Sequence, residues 1–121
     1  MPHLRLEYSG NLPIAGSNLQ VLFSRLHDVL VNQAGADLFR CQSRAICCEH
    51  FCIGNGKENR AFVYLQVLLL EGRTPEQLQE TGKQLLHTLQ DQLKDALMHF
   101  NAQISVHLND ITADRYYKIE T

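Results

Sequence analysis

The residues with the clearest chemical potential stand at the very start of the chain, "MPHLRLEYSG". Proline directly follows the initiator methionine, and removal of Met1 leaves Pro2 with a free secondary amine held in a rigid ring. Such an amine is basic and nucleophilic, and it has no flexible side chain to immobilise. An α-amino group has an ordinary pKa of about 7.7–8.0, near enough to neutrality for general-base work. Burial in a partly apolar pocket beside cations disfavours its protonated form further. Position alone does not separate this reading from an incidental Met-Pro opening.

A second cluster holds Cys41, Cys47, Cys48 and Cys52, with His50 among them. Zinc sites usually join two ligand pairs from separate turns, whereas this run lies on one strand-like segment. His3, Arg5 and Glu7 interrupt the apolar residues at the N-terminus, so no secretory leader is read there and no disulfide framework is expected. The expectation is four small buried hydrophobes and no metal. His27, His87, His99 and His107 fall on helical or strand faces without convergent spacing and are given no chemistry.

These residues must be positioned by a modest frame. The chain has 121 residues, 45% of them hydrophobic and 20% charged, with a net charge of −2. One domain over residues 1–121 is expected, burying roughly two-thirds of its unfolded surface. The near-balanced charge points away from nucleic acid and anionic membrane partners. The longest purely aliphatic run, Val67-Leu68-Leu69-Leu70, is far too short to span a bilayer. A cytoplasmic protein is the expectation.

Leu4, Leu6 and Tyr8 alternate with His3, Arg5 and Glu7, which predicts a half-buried strand over 3–8. Ser17-Asn18-Leu19-Gln20 has the form of a capping box, and apolar residues from Leu19 to Leu30 at helical spacing carry a helix to about Gln33. Residues 39–53 read as a second strand, and "GNGKEN" as a hairpin turn with an Asn-Gly step. "AFVYLQVLLLEG" is the most apolar strand and reads as central, with Val63, Leu65, Val67 and Leu69 alternating with equally apolar partners. Thr74-Pro75-Glu76-Gln77 opens a long amphipathic helix to about residue 100. Ile104, Val106 and Leu108 point inward from a fourth strand. The tail "TADRYYKIET" is indeterminate.

The order is β-α-β followed by β-α-β, a pseudo-repeat with halves about 1–53 and 60–111. Right-handed crossovers make each half a parallel pair. The fold class is α+β, with both helices on one face of a four-stranded mixed sheet. The other face, if apolar, calls for a second subunit.

Pro2 at the start of a strand, the two β-α-β halves, "SR" at 43–44, "AFV" at 61–63 and the Gly72-Arg73 step before the second helix together resemble the tautomerase superfamily. Within it the chain is most similar to the 5-carboxymethyl-2-hydroxymuconate isomerases. The resemblance implies a tautomerase-like homotrimer with sheets facing inward, a role in the catabolism of aromatic compounds, and no cofactor. It implies that the Pro2 amine is the catalytic base, that Arg44 and Arg73 grip and stabilise a small carboxylated substrate, and that a proton shifts on an unsaturated 2-oxo or 2-hydroxy acid. Where the family segment resembles I-R-S-R, this chain has Cys41-Gln42-Ser43-Arg44, so Gln42 replaces the first arginine. Arg40 lies two residues earlier, and on an extended strand it shares a face with Gln42 and Arg44, making both candidate substrate contacts. Two other readings stay open: a relative acting as an aryl-pyruvate tautomerase or hydratase, and a non-enzymatic trimeric binding module.

Overall fold

The computed structural model describes residues 1–57 and 59–121. Strand β1 (His3–Ser9) leads to helix α1 (Gly16–Ala34), a short 3-10 turn at Leu38–Arg40 and strand β2 (Gln42–Cys48). Strand β3 (Arg60–Leu70), helix α2 (Pro75–Leu97) and strand β4 (Asn101–Ile111) follow, and a second 3-10 turn at Ala113–Arg115 opens the tail. The four strands form one sheet in the order β2-β1-β3-β4. β1 runs parallel to β2 and β3 parallel to β4, while the central pair β1 and β3 is antiparallel. Two β-α-β units therefore meet back to back, as the pattern of the sequence predicts.

Alternation decides which side of the sheet is dry. Leu4 and Leu6 of β1 and Val63, Leu65, Val67 and Leu69 of β3 are almost wholly buried, as are Leu22, Leu26 and Leu30 of α1 and Leu85, Leu89 and Leu93 of α2. These side chains form one cluster between sheet and helices. The two helices run antiparallel. Arg25, midway along α1, bonds Asp91 at 2.8 Å and the Gln92 side chain at 2.9 Å toward the end of α2, and Gln77 at the start of α2 donates to the Gln33 carbonyl at the end of α1 at 3.1 Å. Helix α2 starts as its sequence predicts, with the Thr74 hydroxyl accepting the Gln77 N–H at 3.1 Å. Helix α1 does not. It begins at Gly16 with Ala15 as its cap and no side-chain cap bond, so Ser17 lies inside the first turn, too late to cap it. At the other end Gly35 takes the left-handed conformation, φ 67°, which stops the helix.

The expected hairpin is also replaced. Asn55-Gly56 does lie in a turn, with the Gly56 N–H on the Ile53 carbonyl at 2.9 Å. However, β2 and β3 are not neighbours, because β1 stands between them. The chain leaving β2 and the chain entering β3 therefore lie on either side of β1, and both are pinned closely to its end. Gly10 donates to the Cys48 carbonyl at 2.8 Å, and a Cβ at position 10 would sit 2.8 Å from that oxygen. The fully buried Ser9 hydroxyl accepts the Phe62 N–H at 3.0 Å, and Asn11 donates to the Arg60 carbonyl at 2.9 Å.

The second face of the sheet is less apolar than the β3 sequence implies. Phe62, Tyr64, Gln66, Leu68 and Leu70 are half-buried there. Tyr64 meets His107 at 2.8 Å, Gln66 donates to Asn109 at 3.1 Å, and Arg5 pairs with Glu7 at 3.0 Å. Apolar and polar rows thus share the open face. Nor are the cysteines buried: Cys47 and Cys52 are exposed and Cys41 and Cys48 half-buried, all four as free thiols. Their segment forms an edge strand and a surface crossing, where one flank has nothing to pack on.

Leu65 lies at the centre of the dry layer with no exposed surface. Leu65→Ala is expected to destabilise the fold by about 3 kcal/mol, seen as a lower urea midpoint with an unchanged slope.

Candidate functional site at the N-terminal end of the sheet

The strand order brings the start of β1 and β2 and the end of β3 and β4 to one end of the sheet. Pro2 is buried there, and its carbonyl accepts the Gln42 N–H at 3.1 Å, which extends the β1–β2 ladder by one rung. In the full chain the Pro2 nitrogen is an amide, and the ionisable amine at this end is the Met1 ammonium attached to it. Its pKa is pushed below the ordinary value by burial first, then by the Lys118 cation, with Arg73 and Arg40 acting in the same direction and Cys41 opposing them. Three cations therefore raise the potential around the amine.

Arg73 reaches this end from the junction before α2. It is half-buried, and its Nε donates to the Ala34 carbonyl at 2.8 Å while Nη1 donates to the Leu70 carbonyl at 2.7 Å. Those bonds satisfy orphan carbonyls where α1 and β3 end. Arg44 stands one side-chain repeat along β2 from Gln42, paired in register with Arg5 of β1. Its Nη2 lies 3.2 Å from His3 Nδ1, and His3 Nε2 lies 2.7 Å from the Tyr116 hydroxyl. A guanidinium only donates, so Nδ1 accepts and the proton sits on Nε2, which donates to Tyr116. Burial, then Arg44, then the chain terminus lower the His3 pKa, consistent with this neutral tautomer.

Arg40 is not on the strand. It ends the 3-10 turn, and its guanidinium faces carboxylates: Nη1 is 3.2 Å from Asp37, and Nη2 is 3.2 Å from Glu120. The face it was expected to share with Gln42 and Arg44 is thus lost to the turn. Gln42 is exposed and engaged through its backbone. The site residues that the sequence does not single out come from the tail. Tyr116 touches His3, Lys118 approaches the Met1 sulfur at 3.6 Å, and Glu120 pairs with Arg40 and with Lys118, the latter at 2.9 Å. These three are spaced two apart, the period of an extended segment with one side facing the protein. That spacing is the one signal the sequence carried for them.

Two surface hollows, of about 240 and 420 Å³, lie near the opposite end, where β3 and β4 begin. Phe100 and Ile104 line one and Phe62 and Gln103 the other, and neither includes any of the residues above. The candidate residues gather instead at the Pro2 end, away from both hollows. Among the described residues, no group of His, Cys, Asp and Glu side chains could hold a metal ion. No described helix is long and apolar enough to cross a membrane.

A tandem β-α-β sheet with a buried proline at its start and arginines around it defines a tautomerase-type fold, and solved structures share it. A 5-carboxymethyl-2-hydroxymuconate isomerase from Deinococcus radiodurans R1 superposes with a TM-score of 0.87 at 24% identity, over 99% of this chain and 90% of that one. The Q0 fused 4-OT wild-type symmetric trimer gives 0.73 at 21% identity, over 91% and 85%. Pt0534 inactivated by 2-oxo-3-pentynoate gives 0.73 at 19%, over 94% and 89%. No curated protein sequence matches the chain. The family model described as CHMI, 5-carboxymethyl-2-hydroxymuconate isomerase, matches residues 2–121, and the chain belongs to that isomerase family.

His3 is expected to titrate below 6.5 by NMR, and Arg44→Ala to move it upward by removing the adjacent like charge. With a folded value below the unfolded one, the unfolded chain binds more protons in that window. This contribution to stability is therefore full above 6.5 and is lost as pH falls below it. The Arg44→Ala protein should show a weaker loss.

Proposed function

We propose that this protein is a cofactor-independent isomerase that moves a proton on an unsaturated 2-oxo or 2-hydroxy carboxylic acid, with the Pro2 amine as general base once Met1 is removed. The observation that carries the reading is the meeting of a buried N-terminal proline with Arg40, Arg73 and Lys118 at one end of the sheet. Burial and those cations depress the pKa of the Met1 ammonium, and the same surroundings act on a Pro2 amine. Lowering the pKa of a base raises the fraction of it that is neutral at pH 7.

In this mechanism Pro2 removes a proton from a carbon or an enol oxygen of the bound acid. The electron pair moves into the conjugated system, and negative charge develops on the oxygen of the dienolate. Arg44 and Arg73 carry fixed positive charge to that region, Arg44 held in orientation by neutral His3, and a preorganised cation stabilises developing charge without reorganisation. Arginine keeps its charge and grips a carboxylate with two parallel hydrogen bonds. Pro2 then returns the proton at the far end of the conjugated system. The reaction is neutral in protons and electrons, so no cofactor enters.

The open face of the sheet bears on assembly. Phe62, Leu68 and Leu70 lie half-buried there among polar rows, and a neighbour of the same fold is a symmetric trimer. The proposed assembly is a homotrimer that covers this face and walls the Pro2 end from the side.

Protein with an intact mass matching residues 2–121 is the material to assay. Acetylation of the Pro2 nitrogen, which turns the amine into an amide, is expected to lower kcat by about 10²–10⁴-fold on carboxylated dienols, the range for loss of a general base, while the oligomer persists; full activity in the blocked protein would overturn the proposal. The base works unprotonated, so kcat/KM should rise with pH through a limb below the ordinary 7.7–8.0, and Lys118→Gln should shift that limb upward. 2-Oxo-3-pentynoate is a suitable label. Its addition joins the proline nitrogen to the alkyne carbon remote from the ketone, with the proton passing to the adjacent carbon. Peptide mapping should find the adduct on Pro2.

A further inference from the structure

The charges around the Pro2 end are not all available to a ligand. Glu120 grips Arg40 with both carboxylate oxygens, at 3.2 Å from Nη2 and 3.4 Å from Nε, while Asp37 takes Nη1 at 3.2 Å. Lys118 pairs with the same Glu120 at 2.9 Å. In this cluster two cations are paired with two carboxylates, so a ligand anion has to compete for them. Lys118 and Arg40 in turn hold the Glu120 pKa below the usual carboxylate range, so it stays ionised. Among the described residues, Arg44 and Arg73 have no carboxylate partner. Arg44 faces neutral His3, and Arg73 faces two backbone carbonyls. Gln42, two residues before Arg44 on β2, brings no charge.

We infer that Glu120 is a specificity-determining residue that fills the position of a third substrate carboxylate, so that the site takes an unsaturated oxo- or hydroxy-acid bearing two carboxylates in preference to three. The inference rests on the isomerase reading above. The family's eponymous compound carries three carboxylates, two from the muconate and one from the carboxymethyl group. Two of these find Arg44 and Arg73. The third meets Arg40 only by displacing Glu120, whose bidentate grip is the same geometry a ligand carboxylate would adopt. The tail is exposed here, with about half of the Glu120 and Arg40 side-chain surfaces open to solvent, 56% and 46%. The competition is therefore of modest size, a few-fold rather than orders of magnitude.

The test compares matched dienols with two and three carboxylates on Met1-free protein, beside calorimetric binding of the unreactive acids glutarate and tricarballylate. The wild type is expected to favour the dicarboxylate in both. Glu120→Gln should raise the three-to-two ratio of kcat/KM by roughly three- to fivefold, through KM, and shift the binding ratio the same way. Arg40→Ala placed on top of Glu120→Gln should cancel the gain, which a merely structural role for Glu120 would not produce. A wild type that prefers the tricarboxylate, or ratios unmoved by Glu120→Gln, overturns the inference. The two readings fail separately: if no dienol is turned over, the isomerase proposal falls, whereas the binding ratios still decide the role of Glu120.

Discussion

Both edges of β1 are hydrogen-bonded, in parallel to β2 and antiparallel to β3, and this double pairing begins at the third residue of the chain. Chain ends usually fray because few bonds hold them. Here the rung from Pro2 to Gln42 carries the ladder up to the second residue, and a proline, with no N–H to offer, fits the end of a strand where the next donor would go unmet. The rest of the molecule serves this arrangement. Helix α1 returns the chain so that β2 can flank β1 in parallel, and the second unit supplies β3 on the other side. A terminal residue thereby acquires the fixed surroundings of an interior one.

The electrostatics follow from that placement. Like charges are gathered where strand ends converge, and each is held by a different device: Arg73 by carbonyls, Arg44 by a neutral imidazole, Arg40 and Lys118 by carboxylates. Only the last device places an anion beside the cation, so the potential near the terminus reflects the type of partner as much as the number of cations. Desolvation of the amine adds to that potential, and both disfavour its protonation.

Much of this was legible in the residues. Alternation in β1 and β3 and the Thr74 cap of α2 are local signals, and the structure keeps them because local preference and tertiary packing agree. The fold class followed from their order. The hairpin was not legible, because an Asn-Gly step reports a turn and not whether the flanking strands are neighbours. β1 takes the place between them by long-range pairing. Arg40 was assigned to a strand since nothing in Leu38-Phe39-Arg40 announces a 3-10 turn; Asp37, whose side chain accepts the Phe39 N–H at 3.0 Å, makes it. The cysteines illustrate a different limit. A small apolar side chain is usually buried, but an edge strand has one flank without neighbours, and edge status is a property of the sheet. The tail residues Tyr116, Lys118 and Glu120 gain meaning only once the far ends of the chain are known to meet.

Arg73 stands at a seam. One branch of its fork closes the end of α1 and another closes the end of β3, so a single side chain welds the helical layer to the sheet at the Pro2 end. Folding and the proposed chemistry consequently draw on the same position, and neither can be adjusted there alone. Lysine carries the charge but lacks the planar fork that spans both carbonyls; a neutral fork would span them without the charge. A substitution at this residue therefore has to satisfy the seam and the charge at once.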